Sequence, residues 1–211
     1  MNKITNINEK YDILIAGVGG QGTVLASRLI AAAAIKQGCF ARTSETIGMS
    51  QRGGCVVSHV RINSEKASSI IPICNADMLI AFELSEAARS LPRLKKGGCC
   101  IVNTQTIKPV SSSLGTSRYN VDTITDFINS NTDKVYYIDG YGIAQNAGSV
   151  KAVNVVLLGA AAAAGMPFGK EVIEEAIIEN VPQKFRELNQ RAFELGYNYI
   201  LNNTHAIGVE A

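Results

Sequence analysis

Within YDILIAGVGGQGTVLA, residues 11–26, Gly17, Gly19 and Gly22 satisfy the pattern G-x-G-x-x-G, and Gly20 adds a fourth glycine. In a nucleotide-binding turn the first glycine permits the bend, the second lets backbone approach a pyrophosphate, and the third lets helix and strand pack closely. The turn also aims free N–H groups of the following helix at whatever sits above it, which is worth about 0.3–1 kcal/mol per negative charge at an exposed helix end. Three readings stay open on these residues alone: the pyrophosphate of NAD or FAD, some other phosphate, or a tight turn that holds nothing. Gln21, at the helix start, either donates to a ligand or caps its own loop.

The NAD reading makes a further demand, an acidic residue near the end of the second strand to take the ribose hydroxyls. Glu45 lies 23 residues past Gly22, so its spacing permits that role. It leads into the loop IGMSQRGG (47–54) instead of a helix, however, and no second substrate domain follows. Arg52 in this loop could clamp a phosphate or a partner carboxylate bidentately, or be a surface arginine at a turn. In the strand CVVSHVRI (55–62), alternation puts Cys55, Val57, His59 and Arg61 on one side and Val56, Ser58, Val60 and Ile62 on the other. His59 is the sharpest candidate for proton transfer, set against a hydrogen-bonded structural role. Without a visible carboxylate partner it is assigned no catalysis, and no other residue is. The five cysteines are odd in number and never spaced C-x-x-C, so no disulfide framework, zinc site or iron–sulfur cluster is expected.

The elements that position these residues are legible from periodicity. Ile13–Ile15 read as a strand covered on both faces, and Thr23 to Lys36 as an alanine-rich helix ended by Gly38. CFARTSE (39–45) reads as a second strand, so the start resembles a mononucleotide-binding βαβ unit; CVVSHVRI then follows without a crossover helix and is expected to pair antiparallel. If the second strand ends beside the first, Ser44 and Glu45 share the mouth of the glycine turn. Further strands are expected at 77–83, 99–104 and 134–140, and helices at 84–94, 121–130, 150–164, 169–180 and 183–201, with a surface loop at 105–118. The sum is one domain over residues 1–211, a three-layer α/β/α fold with a mixed, mostly parallel sheet and a Rossmann-like first βαβ unit.

Composition narrows the classes. A net charge of +2 without any run of lysine or arginine provides no stripe for a nucleic-acid backbone or an anionic membrane. The N-terminus has no signal-peptide core. The longest uncharged stretch, Ala152 to Gly169, contains Asn154, two interior glycines and Pro167, and reads as a buried helix. With 46% hydrophobic and only 18% charged residues, part of the surface is expected to meet a partner. A cytoplasmic protein with reduced thiols is expected.

The glycine turn followed about 20 residues later by SE-x-x-GM-x-QRGG-x-V-x-SHVRI (44–62) resembles the gamma component of the 2-oxoacid:ferredoxin oxidoreductases, in particular the small (beta) subunits of the indolepyruvate type. The similarity continues through VNVVLLGA (153–160) and KFRELNQRAFELGY (184–197). The resemblance implies a non-catalytic subunit of an enzyme that decarboxylates indolepyruvate or another 2-oxoacid on thiamine diphosphate, passes electrons to iron–sulfur clusters and ferredoxin, and releases an acyl-coenzyme A. Thiamine and clusters would belong to a larger partner subunit. In agreement, Asp139-Gly140 is preceded by Ile138, not by the glycine of a thiamine G-D-G motif. This chain would complete the active-site cleft and place coenzyme A against Gly17, Gly19, Gly20, Gln21, Gly22, Ser44, Glu45, Met49, Gln51, Arg52 and Gly53. The isolated subunit could pair with itself through the surface its partner covers. The rival readings are a freestanding NAD(P)-binding Rossmann-like oxidoreductase and a scaffold module without cofactor.

Overall fold

The computed structural model describes residues 9–48, 54–107 and 119–203. Strand β1 (Tyr11–Val18) carries Ile13, Leu14, Ile15 and Ala16 fully buried, because it lies inside a six-stranded sheet covered on both faces. Helix α1 (Thr23–Lys36) follows, then β2 (Ala41–Ile47), β3 (Cys55–Ile62) and β4 (Ala76–Ala81). Next come α2 (Leu84–Ser90), β5 (Leu94–Asn103), α3 (Val121–Asn131), β6 (Val135–Ile138) and α4 (Gly140–Ala147). Three helices complete the described chain: α5 (Val153–Ala163), α6 (Lys170–Asn180) and α7 (Arg186–Asn203).

The strand order is β2-β3-β1-β4-β5-β6. Strands β1, β4, β5 and β6 are parallel neighbours, while β3 runs antiparallel to both β1 and β2. The expected mixed, mostly parallel α/β sheet is therefore present, and so is the antiparallel pairing of the second and third strands. One expectation needs correction: β2 runs parallel to β1 but is not its neighbour. Strand β3 is inserted between them, because a short connection from β2 can only return antiparallel, and it takes the place beside β1.

Alternation along the strands sorts the core into two layers. Ile13, Ile15, Val60, Ile62, Met78 and Ile80 pack against α1 and α4 to α7, whereas Leu14, Ala16, Leu79, Ala81, Cys100 and Val102 pack against α2 and α3. Helix α5 is buried from Val153 to Ala161, as its apolar sequence requires, and lies against α7. Two boundaries differ from the sequence reading. Helix α2 stops at Ser90, where Leu91–Arg93 turn into a 3-10 helix containing Pro92, and β5 starts at Leu94. Helix α4 is unanticipated, since Gly140, Gly142 and Gly148 signal a loop; Asp139 starts it by accepting a hydrogen bond from the Gly142 N–H at 2.9 Å.

Candidate functional site

The glycine turn stands at the C-terminal end of β1, on the edge where open α/β sheets bind ligands. Gly17 is required for close approach: a methyl there would lie 2.8 Å from both Gln21 Oε1 and Thr23 Cγ2 and 2.9 Å from Phe82 Cβ. Gly20 and Gly22 have φ of +99° and +86°, a region that other residues enter only at a cost. Gly22 opens α1, which has no side-chain cap and no acidic residue in its first turn. Its first N–H groups are thus available to an anion, the first intrahelical bond being Ala26 N–H to Gly22 C=O at 3.0 Å.

Gln21 is decided by its partners. Its Oε1 accepts from the Val18 N–H at 2.8 Å and its Nε2 donates to the Phe82 carbonyl at 3.0 Å, so the buried carboxamide braces the turn against β4. The Phe82 carbonyl also accepts from Asn103 Nδ2 at 3.0 Å, and Asn103 Oδ1 accepts from the Gly140 N–H at 2.9 Å. One polar chain therefore ties β1, β4, β5 and α4 together along the ligand-binding edge. Beside it, the buried Glu83 carboxylate accepts from Ser85 and Glu86 N–H, Ile107 N–H and the Tyr119 hydroxyl.

The loop that carries the second motif is anchored next to the turn. The Gly19 N–H donates to the Gly54 carbonyl at 2.9 Å, the Gly48 N–H donates to the Cys55 carbonyl at 2.9 Å, and Cys55 is in register with Val18. Met49, Gln51, Arg52 and Gly53 lie outside the described residues. Ser44 and Glu45 are not beside the turn. They stand opposite His59 and Ser58, which in turn face Leu14 and Ile15, so Glu45 is two strands away and three residues short of Val18. Each of those separations is about 10 Å. Its carboxylate instead accepts from Ser27 of α1 at 3.3 Å. The acidic residue that the spacing offered to a ribose is therefore not on a strand next to β1, and Glu83, which follows the parallel neighbour β4, is engaged by Ser85, Glu86, Ile107 and Tyr119; both facts count against the NAD reading.

The remaining reactive groups are in structural use. His59 Nδ1 accepts from the Ile71 N–H at 3.2 Å, and burial, with the charges of Arg93 and Arg61, lowers its pKa to about 4. Arg61 is paired with the buried Asp12 at 2.9 and 3.0 Å. Burial and the adjacent Glu86 carboxylate raise the Cys55 thiol to about 12, far from a reactive thiolate. Among the described residues no three His, Cys, Asp or Glu side chains are grouped to hold a metal ion.

Other residues complete the cleft. Gly20, Gln21, Gly22 and Leu25 form one wall of a cleft of about 370 Å³ whose opposite wall is Tyr141, Val150, Lys151, Val153 and Asn154. Sequence reasoning missed Lys151 and Asn154 as site residues; the available signal was a lone polar residue within the apolar run that starts α5.

The pyruvate ferredoxin/flavodoxin oxidoreductase model matches residues 12–199. The chain is 42% identical to indolepyruvate oxidoreductase subunit IorB from Archaeoglobus fulgidus, over 92% of this chain and 96% of that protein. It is 30% identical to pyruvate synthase subunit PorC from Methanocaldococcus jannaschii, over 90% and 97% of the two chains. Its fold is similar to the crystal structure of a keto/oxoacid ferredoxin oxidoreductase gamma subunit from Geobacter sulfurreducens, with TM-score 0.68 and 29% identity over 91% of this chain and 99% of that one. The chain therefore belongs to the pyruvate ferredoxin/flavodoxin oxidoreductase family.

Proposed function

We propose that this chain is the small, non-catalytic subunit of a cytoplasmic indolepyruvate ferredoxin oxidoreductase, a single gamma-type domain that completes the cleft of a larger subunit. That partner carries the thiamine diphosphate and the iron–sulfur clusters and passes electrons to ferredoxin. The observation that supports the reading is the hydrogen bond from the Gly19 N–H to the Gly54 carbonyl, which joins the glycine turn to the residue that leads into β3. The identity to indolepyruvate oxidoreductase subunits over nearly the whole chain favours an aryl 2-oxoacid as substrate. The occupied His59, the high-pKa Cys55 and the capping use of Asp139 support a role without chemistry of its own. Among the described residues no helix is long and apolar enough to cross a membrane.

Coenzyme A is the ligand proposed for this edge. The backbone of Gly19, Gly20 and Gly22 and the open start of α1 offer donors to its diphosphate, with Arg52 as countercharge and Gln21 as the brace. Ser44 and Glu45 then act only through the sheet.

The test is reconstitution. The chain alone should turn over no 2-oxoacid; with its larger subunit it should support coenzyme A-dependent dye reduction, fastest with indolepyruvate. Turnover by the isolated chain would overturn the reading. In the complex, Arg52→Ala should raise KM for coenzyme A about tenfold, the worth of one charge-assisted contact, and an unchanged KM removes Arg52 from the site.

A further inference from the structure

Phe82 is where the ligand-binding edge converges. Its N–H donates to the Ala16 carbonyl of β1 at 2.8 Å, and its own carbonyl accepts from Gln21 Nε2 and from Asn103 Nδ2, each at 3.0 Å. The far ends of both carboxamides are engaged as well, Gln21 Oε1 by the Val18 N–H and Asn103 Oδ1 by the Gly140 N–H. Two side-chain amides thus meet on the two lone pairs of one carbonyl and span β1, β4, β5 and the start of α4.

This bridge is buried and depends on close approach. Asn103 and Phe82 are fully buried, and Gln21 is 6% exposed. A methyl on Gly17 would lie 2.8 Å from Gln21 Oε1 and one on Gly140 would lie 3.0 Å from Asn103 Oδ1, so a glycine stands at each end where an amide oxygen passes the backbone. Buried amides cannot exchange a lost partner for water, and consecutive hydrogen bonds in a low-dielectric setting strengthen one another. The two ends of the bridge belong to the two walls of the cleft. Gln21 lies in the wall of the glycine turn, and Gly140 precedes Tyr141, which lies in the opposite wall.

We propose that Asn103 is a positioning residue: with Gln21 it forms a two-amide bridge that fixes the gap between the glycine turn and Tyr141, and so sets the affinity of the cleft for its ligand. Being fully buried, Asn103 acts on the cleft through Phe82 and Gly140. The kinetic consequence rests on the reading of this edge as the coenzyme A site; the bridge does not.

Asn103→Asp is isosteric, but its ionised carboxylate has no donor for the Phe82 carbonyl. Burial raises a carboxyl by up to about 3–5 units, so the new group regains its proton between about pH 8 and 6, and its O–H and C=O then reproduce the amide. The carboxylates adjoining the bridge in sequence, Glu83 and Asp139, both cap helices, and wild type measured at each pH removes their contribution. In the full chain at pH 8, Asn103→Asp should speed hydrogen exchange about tenfold, relative to wild type, both at 139–143 and across the sheet at 17–23. At pH 6 the ratio should return towards one, whereas Asn103→Ala should be fast at both pH values. In the complex with the larger subunit, Asn103→Asp should raise KM for coenzyme A about tenfold at pH 8 with kcat within about twofold, and the KM should recover at pH 6. Gln21→Glu, read at 139–143, repeats the test from the other end and decides it where Asn103→Asp fails to fold. Faster exchange confined to the segment bonded to the altered residue, no recovery at pH 6, or a wild-type KM in Asn103→Asp overturns the proposal. A wild-type complex without coenzyme A-dependent turnover overturns the proposed function instead, and the exchange ratios then decide the bridge alone.

Discussion

Asp12 and Arg61 show how a buried charge is made tolerable. The Asp12 carboxylate is fully buried, accepts two hydrogen bonds from Arg61 and stands 2.9 Å from Lys10 Nζ, while Arg61 also donates to the Ser68 carbonyl at 2.6 Å. The pair thereby pins the connection between β3 and β4 to the sheet. Asp12→Ala strands the guanidinium, and a loss of about 3–5 kcal/mol in urea unfolding is expected, more than for replacing both residues by apolar ones. His59 lies one alternation step along the same face. Because its pKa falls from 6.5 to about 4 in the fold, the unfolded chain binds the proton first on acidification. Its contribution to stability is present above about pH 6.5, declines from there to about pH 4 and is gone below. Denaturation between pH 4 and 8 should show that decline, and His59→Asn, which keeps an acceptor for Ile71, should flatten it. Alternation along CVVSHVRI foretold the shared face of His59 and Arg61, but not their partners, which lie 12 and 49 residues away in sequence.

At the scale of elements, helices α5 and α7 meet through glycines. A methyl on Gly159 would overlap the Phe193 carbonyl, and one on Gly196 the Val156 carbonyl, so the two backbones approach as closely as they can. Gly159→Ala and Gly196→Ala should each cost about 1–3 kcal/mol by overpacking, read as a lowered urea midpoint. Both helices were readable from periodicity, because their apolar faces repeat in the chain itself. Their crossing was not, since a glycine inside a helix signals the same thing whether it faces another backbone or water. Helix α4 stayed hidden for a related reason: its glycines interrupt the helical pattern, and the Asp139 cap, the Asn103 bond to the Gly140 N–H and the buried Ala144 and Ala147 hold it as a helix.

The strands of the described residues form one sheet. Residues from both ends of the chain share the layer of Ile13, Val60, Leu157 and Phe193, so no boundary divides the core. We expect residues 1–211 to unfold in a single transition, with far-ultraviolet and tyrosine signals coinciding; two separated transitions would mean two domains. The sequence by itself determined the α/β class, the apolar strands, the antiparallel β2–β3 return and the glycine turn, all of them consequences of local periodicity and backbone freedom. Only the tertiary structure decided that β3 separates β2 from β1, carrying Glu45 away from the site, that Gln21 serves its own turn, and that Lys151 and Asn154 face it. Those outcomes depend on which distant segments become neighbours, and spacing along a chain does not specify distance across a fold.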